Sequence, residues 1–455
     1  MGDDSESSFS DMPEVEPIKP KIDVVVIGVG YVGLTLAIHF ASEGLYVVGV
    51  DNDREKIRRL KKGETNLVEP GIPEVLTKVI ASGHLRFTTK LEEGAPNWIL
   101  AIPYFPGKPE LFAEVLDGIE GDDETPPLVV TRGTVPVRFS RDFILPRLEE
   151  KCNGKLDEEF YLASCPERTL SGAALEELST LPQLIGGSEK SAERAAQLFE
   201  KAGIRSLKLP LLEGGELAKV FANFARFVEF NLANFLGVLC HIHGVSEETM
   251  INTITSGYGR LNFLKQPGPG VGGFCLPKDS LILQDALDAL DHENPNLSGL
   301  TAYPTREYEL NQSVICYHLG RVLQLTEGKR DILACGVAFK GVPKTDDTRD
   351  SVGLAIVREL TRQGRSVEVF DVSVSPEKVE SLGLVRTAEP IDVSSFDAVL
   401  LLNNDADHRN LFCASEPADP GRSIALYDPW RLLVVGKESI FQERLPLETI
   451  KRRLS

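Results

Sequence analysis

Cys275 stands inside the run Gly268-Pro269-Gly270-Val271-Gly272-Gly273-Phe274-Cys275-Leu276-Pro277-Lys278-Asp279, with a lysine and an aspartate just behind it. A thiolate is a strong nucleophile, and it can capture a carbonyl as a covalent intermediate. Glycines let the backbone close on a ligand and take positive φ, and prolines stiffen what remains. A surface turn that happens to hold a buried cysteine has the same composition, so the loop alone leaves both readings open. Lys219 and Asn223 form a second polar set. They lie four apart in a helical pattern and so share one face. Polar groups on so apolar a helix need partners, which could be each other or something they act on. A third set is Gly28-Val29-Gly30-Tyr31-Val32-Gly33, the GxGxxG spacing that brings a backbone against a pyrophosphate.

These residues need elements to hold them. Residues 22–27 form a β-branched run that reads as a buried parallel strand, and residues 34–41 after the glycines have helical character. A second strand over 46–50 ends at Asp51, about 18 residues past Gly33. There a carboxylate accepts ribose hydroxyls, which favours NAD over NADP, although Arg54 lies close by. Strands over 98–102, 128–131, 160–163 and 184–187 continue a doubly wound sheet. The segment from Gly215 to His243 then reads as one helix about 40 Å long. It is apolar nearly all round, with Phe221, Phe224, Phe227, Phe230 and Phe235, which predicts burial on all sides. It serves as a spine between two domains and as part of a subunit interface. A second α/β unit comes next, with strands over 331–339, 367–371, 398–403 and 424–428 and a helix over 351–362. The fold class expected is α/β: two Rossmann-like doubly wound domains joined by a long central helix. The domains read as an acidic disordered leader over 1–20, a cofactor domain over 21–212, a helical region with the cysteine loop over 213–325, and a C-terminal α/β domain over 326–455.

The 455 residues exceed one core, and 42% hydrophobic with 26% charged residues is globular composition. A net charge of −19 without a basic stripe argues against nucleic acid. No apolar run has transmembrane length, and the acidic N-terminus is no signal peptide. Seven scattered cysteines without CxxC pairs predict reduced thiols and a cytoplasmic location. His241 and His243 lack a carboxylate at metal spacing, so no metal is expected.

Taken together, the chain resembles the UDP-glucose/GDP-mannose dehydrogenase family from about residue 21 to about residue 430. The resemblance rests on the turn at 28–33, Gly133-Thr134-Val135-Pro136, Glu216-Leu217-Ala218-Lys219 with Asn223, the loop at 270–279, and Ala338-Phe339-Lys340 with Thr345-Asp346-Asp347-Thr348-Arg349-Asp350-Ser351. The runs Cys165-Pro166-Glu167-Arg168-Thr169-Leu170-Ser171-Gly172 and Gln266-Pro267-Gly268-Pro269-Gly270-Val271-Gly272-Gly273 are similar to the UDP-N-acetyl-D-mannosamine branch. Phe274-Cys275-Leu276-Pro277-Lys278-Asp279 looks more like the UDP-glucose branch. Two positions depart from the family pattern: Ile102-Pro103 where a Thr-Pro is usual, and Asn234-Phe235 where Asn-Glu closes the helix.

The resemblance implies NAD-dependent four-electron oxidation of the C6 alcohol of a nucleotide sugar, with UDP-N-acetyl-D-mannosamine as the leading substrate and UDP-glucose as the alternative. It implies Cys275 as nucleophile through a thiohemiacetal and a thioester, Lys219 and Asn223 as oxyanion donors, Asp279 with Thr134 holding a water, and Glu167 in hydrolysis. It places the cofactor on Gly28, Gly30, Tyr31, Val32, Gly33, Asp51, Thr134 and Lys278. It places the substrate on Glu167, Arg168, Lys219, Asn223, Arg260, Phe263, Gly272, Lys340 and Arg349, with Arg260 reaching in from a second subunit. A pair between Arg349 and Asp346 or Asp347 is the plainer reading of that arginine. The partners implied are a UDP-sugar and a second copy in a homodimer, with a tetramer left open. The competing readings are a two-electron β-hydroxyacid dehydrogenase, which needs no thiol, and a catalytically silent nucleotide-binding regulator.

Overall fold

The computed structural model describes residues 21–91, 94–105, 108–120, 125–291, 298–414, 423–433 and 442–446; the leader expected over 1–20 lies outside them. Strands β1 (Val24–Ile27), β2 (Val47–Val50), β3 (Leu85–Thr88), β4 (Asn97–Leu100), β5 (Leu128–Thr131), β6 (Tyr161–Ser164), β7 (Gln183–Gly187) and β8 (Ser206–Pro210) build one sheet in the order β3-β2-β1-β4-β5-β6-β7-β8. All neighbours are parallel except β6 and β7. Strands β1, β2, β4 and β5 are buried along their whole length, because helices cover both faces of a parallel sheet. Strand order reverses between β1 and β4. The loops after β1, β2, β4, β5 and β6 leave the same edge there, which is where such sheets bind ligands.

The second sheet contains β9 (Asp331–Cys335), β10 (Ser366–Phe370), β11 (Val385–Arg386), β12 (Ala398–Leu401), β13 (Ser423–Tyr427) and β14 (Gln442–Pro446), ordered β11-β10-β9-β12-β13-β14. The strand expected to run to residue 339 stops at Cys335. Gly336 takes φ +97 there, which turns the chain out of the sheet. The antiparallel edge strand β14 was not foreseen from sequence.

Between the sheets runs the central helix, Leu212–His243, 32 residues long. Gly244 ends it in the left-handed region at φ +67, as a helix-terminating glycine does. Val220 and Phe224 pack on Ile282 and Leu283 of the helix Cys275–Asp291, which begins at the cysteine itself. Within the single chain the helix is covered on part of its circumference only. Leu217, Phe221, Leu232, Phe235, Leu239 and Ile242 are exposed in the single chain, Phe221 by 56%. An apolar residue count reports how many sides want cover, not which of them the same chain covers.

Candidate active site

The glycine turn is built as its spacing requires. Gly28 has φ +85, and a Cβ there would lie 2.7 Å from the Ala101 carbonyl oxygen. A Cβ on Gly33 would lie 1.9 Å from the Gly28 carbonyl oxygen. Gly30 differs, since a Cβ there would meet nothing within 4 Å. Gly30 also begins the helix Tyr31–Ser42 without a side-chain cap, so the first amide N–H groups face open space. Such an end suits a pyrophosphate. The Asp51 carboxylate closes the turn, accepting from the Val29 N–H at 3.1 Å, the Asp53 N–H at 3.0 Å and the Lys56 ammonium at 2.7 Å. Oδ2 takes the Val29 and Lys56 donors, and Oδ1, with the Asp53 N–H alone, retains capacity for a ribose hydroxyl. An empty seat in front of Gly30, an uncapped helix start and an acidic residue at the end of β2 fit NAD. The Tyr31 side chain turns elsewhere: its hydroxyl reaches Glu69 at 2.9 Å and the Leu170 carbonyl oxygen at 3.3 Å. Only its backbone remains for the cofactor.

The cysteine loop is held from three sides. The Asn234 side-chain oxygen Oδ1 accepts from the Gly268 N–H at 2.7 Å. Asn311 accepts from the Val271 N–H at 2.8 Å and donates to the Val271 carbonyl at 2.9 Å. The Gly273 N–H donates to the Asp350 carbonyl of the C-terminal unit at 3.1 Å. A Cβ on Gly272 would lie 2.8 Å from that same oxygen, and one on Gly273 would strike the Phe339 ring at 2.6 Å. These two glycines therefore let the C-terminal unit close against the loop.

Cys275 is the first residue of its helix and its side chain is open to solvent, although protein surrounds it on most sides. Burial pushes the thiol up, Lys219 is the largest pull in the other direction, Asp279 adds to the rise, and Lys278 and Arg349 assist Lys219. Asp279 is fully buried and accepts from Asn223 Nδ2 at 2.6 Å and Lys278 Nζ at 2.6 Å. Lys219 and Asn223 thus do not simply bond each other. Asn223 holds Asp279, and the Lys219 charge acts on both Cys275 and Glu167.

Glu167 lies just after β6, and its Oε1 accepts from the N–H groups of Arg168 and Thr169, each at 2.7 Å. Its Oε2 pairs with Arg132. Burial works to raise this carboxyl, but Arg132, the Thr169 N–H and Lys219 outweigh it and hold it below the usual carboxylate range. Thr134 is half-buried in the loop after β5, which packs so closely on the chain after β4 that a Cβ on Gly133 would lie 2.5 Å from the Ile102 carbonyl oxygen. Arg168 points away, donating to the Pro182 carbonyl at 2.5 Å.

Lys340 lies near the cysteine, and its ammonium donates to the Ser171 carbonyl at 3.0 Å. Burial, with Arg226 second, lowers its pKa to about 8. Arg349 stacks over the Phe274 ring at 4.5 Å and pairs with Asp347 at 2.6 Å, so the plainer reading of that arginine holds alongside its nearness to the thiol. Arg260 lies on the surface over the Tyr258 ring at 5.6 Å, and Phe263 is exposed; neither belongs to the cysteine cluster of this chain. The structure therefore gathers Cys275, Lys219, Asn223, Asp279, Lys278, Glu167, Lys340 and Arg349, and leaves Arg168, Arg260 and Phe263 at its margin.

Two residues escaped the sequence reading. Arg132, 1% exposed, bonds Glu167, Gln183 and the Cys165 carbonyl. A charged residue directly before Gly133-Thr134 was the available signal. Glu69 is buried among Tyr31, Gly172 and Ala174. Two of those partners are about a hundred residues away, and no local pattern announces them. Among the described residues no cluster could hold a metal ion, and no helix is long and apolar enough to cross a membrane.

Comparison with known proteins places all three parts of one family along the chain. These are the NAD binding domain of the UDP-glucose/GDP-mannose dehydrogenase family at residues 22–202, its central domain at 213–302 and its UDP binding domain at 333–430. A UDP-N-acetyl-D-mannosamine dehydrogenase of Methanococcus maripaludis is 30% identical over 359 residues, 76% of this chain and 79% of that protein. An NDP-N-acetyl-D-galactosaminuronic acid dehydrogenase of Ralstonia solanacearum is 29% identical over 412 residues, 85% of this chain and 92% of that protein. Among solved structures, a UDP-D-ManNAc dehydrogenase from Pyrococcus horikoshii superposes with a TM-score of 0.72 at 26% identity, covering 87% of this chain and 94% of that one.

Proposed function

The chain belongs to the UDP-glucose/GDP-mannose dehydrogenase family, and from that premise we propose that it oxidises the C6 alcohol of a UDP-N-acetylhexosamine, UDP-N-acetyl-D-mannosamine foremost, to the uronic acid. Its class, an NAD-dependent nucleotide-sugar dehydrogenase, comes from the family. The N-acetyl substrate is supported by relatives named for N-acetylated sugars and by the Cys165–Gly172 and Gln266–Gly273 runs. The observation that carries the mechanism is the exposed Cys275 thiol under the positive charges of Lys219, Lys278 and Arg349.

The chemistry a bound NAD supplies is hydride acceptance, once from the alcohol and once, by a second NAD, from the thiohemiacetal. The chain's own residues do the rest. Asp279, kept as an acceptor by Asn223 and Lys278, holds with Thr134 a water that takes the alcohol proton. Lys219 stabilises the alkoxide that develops at C6 oxygen. The Cys275 sulfur attacks the aldehyde carbon, forming a C–S bond, and the carbonyl oxygen gains the negative charge beside Lys219. Oxidation of this adduct leaves a thioester. Water adds to it, the C–S bond breaks, and the thiol and the carboxylate are released. The balance is one alcohol, one water and two NAD giving one carboxylate, two NADH and three protons. Glu167, with low proton affinity and both oxygens engaged, orients the hydrolytic water better than it could deprotonate it. Lys340 and Arg349 face the sugar nucleotide from the C-terminal side.

The exposed apolar stripe on the central helix supports a homodimer through that face, which would cover Phe235 and bring Arg260 of a second copy toward the cysteine loop. Light scattering of a Phe235→Glu variant should show a monomer. The activity test is incubation with NAD and a panel of UDP-N-acetyl-D-mannosamine, UDP-N-acetylglucosamine, UDP-glucose and GDP-mannose. Two NADH per sugar with the first compound is the expected result, and one NADH per sugar would favour a two-electron dehydrogenase. Cys275→Ser should lower steady turnover by about 10³-fold or more, through loss of the covalent intermediate. Unchanged turnover would remove the thiol from the mechanism.

A further inference from the structure

Loop 170–174, a few residues past Glu167, is gripped from both sides. From the cofactor side, Glu69 Oε2 accepts from the Gly172 N–H at 2.8 Å, and its other oxygen accepts from the Ala174 N–H. The same Oε2 accepts from the hydroxyl of Tyr31 at 2.9 Å, and Tyr31 is the first residue of the helix that starts at the glycine turn. From the C-terminal side, Lys340 donates to the Ser171 carbonyl at 3.0 Å, and the Ser171 and Thr345 hydroxyls stand 3.4 Å apart. Gly172 has φ +95, and a Cβ there would lie 3.0 Å from both the Lys344 carbonyl oxygen and the Pro343 ring. The loop is therefore a spacer one residue thick, with the cofactor helix on one side and the lysine-bearing segment on the other. Glu69 is 5% exposed, and its carboxylate also acts on the Lys340 ammonium.

We propose that Glu69 is a positioning residue that couples occupancy of the cofactor turn to the placement of Lys340 on the sugar nucleotide. The proposal rests on the functional reading above. A cofactor seated at Gly30 orders the backbone of Tyr31. The Tyr31 hydroxyl fixes Glu69, Glu69 fixes Gly172 and Ala174, and the Ser171 carbonyl then holds Lys340 in one position. Linkage makes this coupling reciprocal, so the sugar nucleotide should tighten NADH binding by the factor by which NADH tightens the sugar nucleotide.

The test is calorimetry of UDP binding to the full chain with and without saturating NADH, for the wild type, Glu69→Gln and Tyr31→Phe. In the wild type NADH should tighten UDP about fivefold or more. A glutamine keeps the shape but offers one acceptor oxygen where two served, and Tyr31→Phe removes only the hydroxyl and so remains informative if the glutamine variant folds poorly. In both, the ratio of the two UDP dissociation constants should fall to within about twofold of one. A residue that merely supported the fold would weaken both measurements together and leave their ratio alone. Retention of the wild-type ratio in both variants overturns the proposal. A wild type that binds UDP and NADH independently overturns it too, while sparing the functional reading. A wild type that binds neither overturns both.

Discussion

The two α/β units use the same device at the end of their first strand. Gly28 donates to the Val50 carbonyl at 2.8 Å, and Gly336 donates to the Phe370 carbonyl at 2.8 Å. Both glycines have positive φ, +85 and +97. An aspartate after the second strand closes each turn, Asp51 on the Val29 N–H and Asp371 on the N–H groups of Val337 and Ala338 at 2.7 and 2.9 Å. Beyond the turn the two units diverge. In the first unit the helix starts three residues on, uncapped, in front of open space. In the second, residues 337–351 intervene, and the Ser351 hydroxyl accepts from the Leu354 N–H at 3.2 Å to cap the helix Val352–Arg362. The inserted residues carry Lys340 and Arg349 and reach the other unit at Ser171 and Gly273. One turn geometry thus leaves an open helix end, suited to a pyrophosphate, in one unit, and launches an inserted loop ahead of a capped helix in the other.

A side chain at each turn should separate the two uses most sharply. Gly30 has φ −74, which any residue can adopt, and a vacant space before it. Gly30→Val should therefore fold with an unchanged melting temperature yet weaken NADH about a hundredfold or more, through loss of the close backbone approach. In the second unit, a Cβ on Gly353 would lie 2.5 Å from the Gly336 carbonyl oxygen. Gly353→Val should leave NADH affinity alone and cost about 1–3 kcal/mol of stability by overpacking. Fluorescence titration and thermal melts of both variants check the pair. A stable Gly353→Val, or a Gly30→Val that binds NADH normally, would break the comparison.

The aspartates should differ by a smaller margin. Asp371 accepts four backbone N–H bonds, from Val337, Ala338, Ser373 and Val374. Asp371→Asn has one acceptor oxygen for them and should cost about 1–3 kcal/mol without changing NADH affinity. Asp51→Asn keeps one acceptor oxygen and so loses the bond from either Val29 or Asp53 at similar cost, but it should also weaken NADH about tenfold by losing an acceptor for the ribose hydroxyls. Chemical denaturation and NADH titration of both variants would show whether only one of these carboxylates faces a ligand.

The first turn was legible in the sequence because Gly33 is demanded by a clash with Gly28 in the same short segment and Gly28 by its own positive φ, and spacing records such local demands. The second turn was not. Gly336 and Gly353 meet across a long insertion, so no fixed spacing joins them, and the strand was drawn four residues too long. The cysteine loop was legible as chemistry, since its glycines and prolines sit beside the thiol. Its anchors were not, because Asn234, Asn311 and Asp350 come from three remote segments. Phe221 and Phe235 read as core because their side chains are apolar, yet only neighbours decide burial, and in this chain they have solvent. Arg132 and Glu69 were missed for the same reason as the anchors. A buried charge is recognisable only once its partner is in view.

The mildest expected difference concerns protons. Each unit buries one carboxyl whose pKa burial raises. Glu216 on the central helix rises to about 7 while accepting from the Arg138 and Ser140 N–H groups at 2.6 and 2.8 Å. Asp428 after β13 rises to about 6 while accepting from the Leu432 and Leu433 N–H groups. In both cases the folded chain holds its proton to higher pH than the unfolded chain does. Between the unfolded and folded values the native state binds more protons, so each group's contribution to stability falls as pH rises. For Glu216 the fall spans the range from its ordinary value of 4.5 to about 7, and for Asp428 from 3.8 to about 6. At about 1.4 kcal/mol per pH unit, each contributes on the order of 3 kcal/mol across its range. Urea unfolding from pH 5 to 8 should therefore flatten in Glu216→Gln from pH 5 to about 7, and as pH rises above 6 the remaining slope is increasingly that of Glu216, because Asp428 ionises in the folded chain around pH 6. Asp428→Asn should flatten the profile only below about pH 6. If Glu216→Gln keeps the wild-type slope above pH 6, the central-helix carboxyl is already ionised, and its two backbone N–H bonds outweigh its burial.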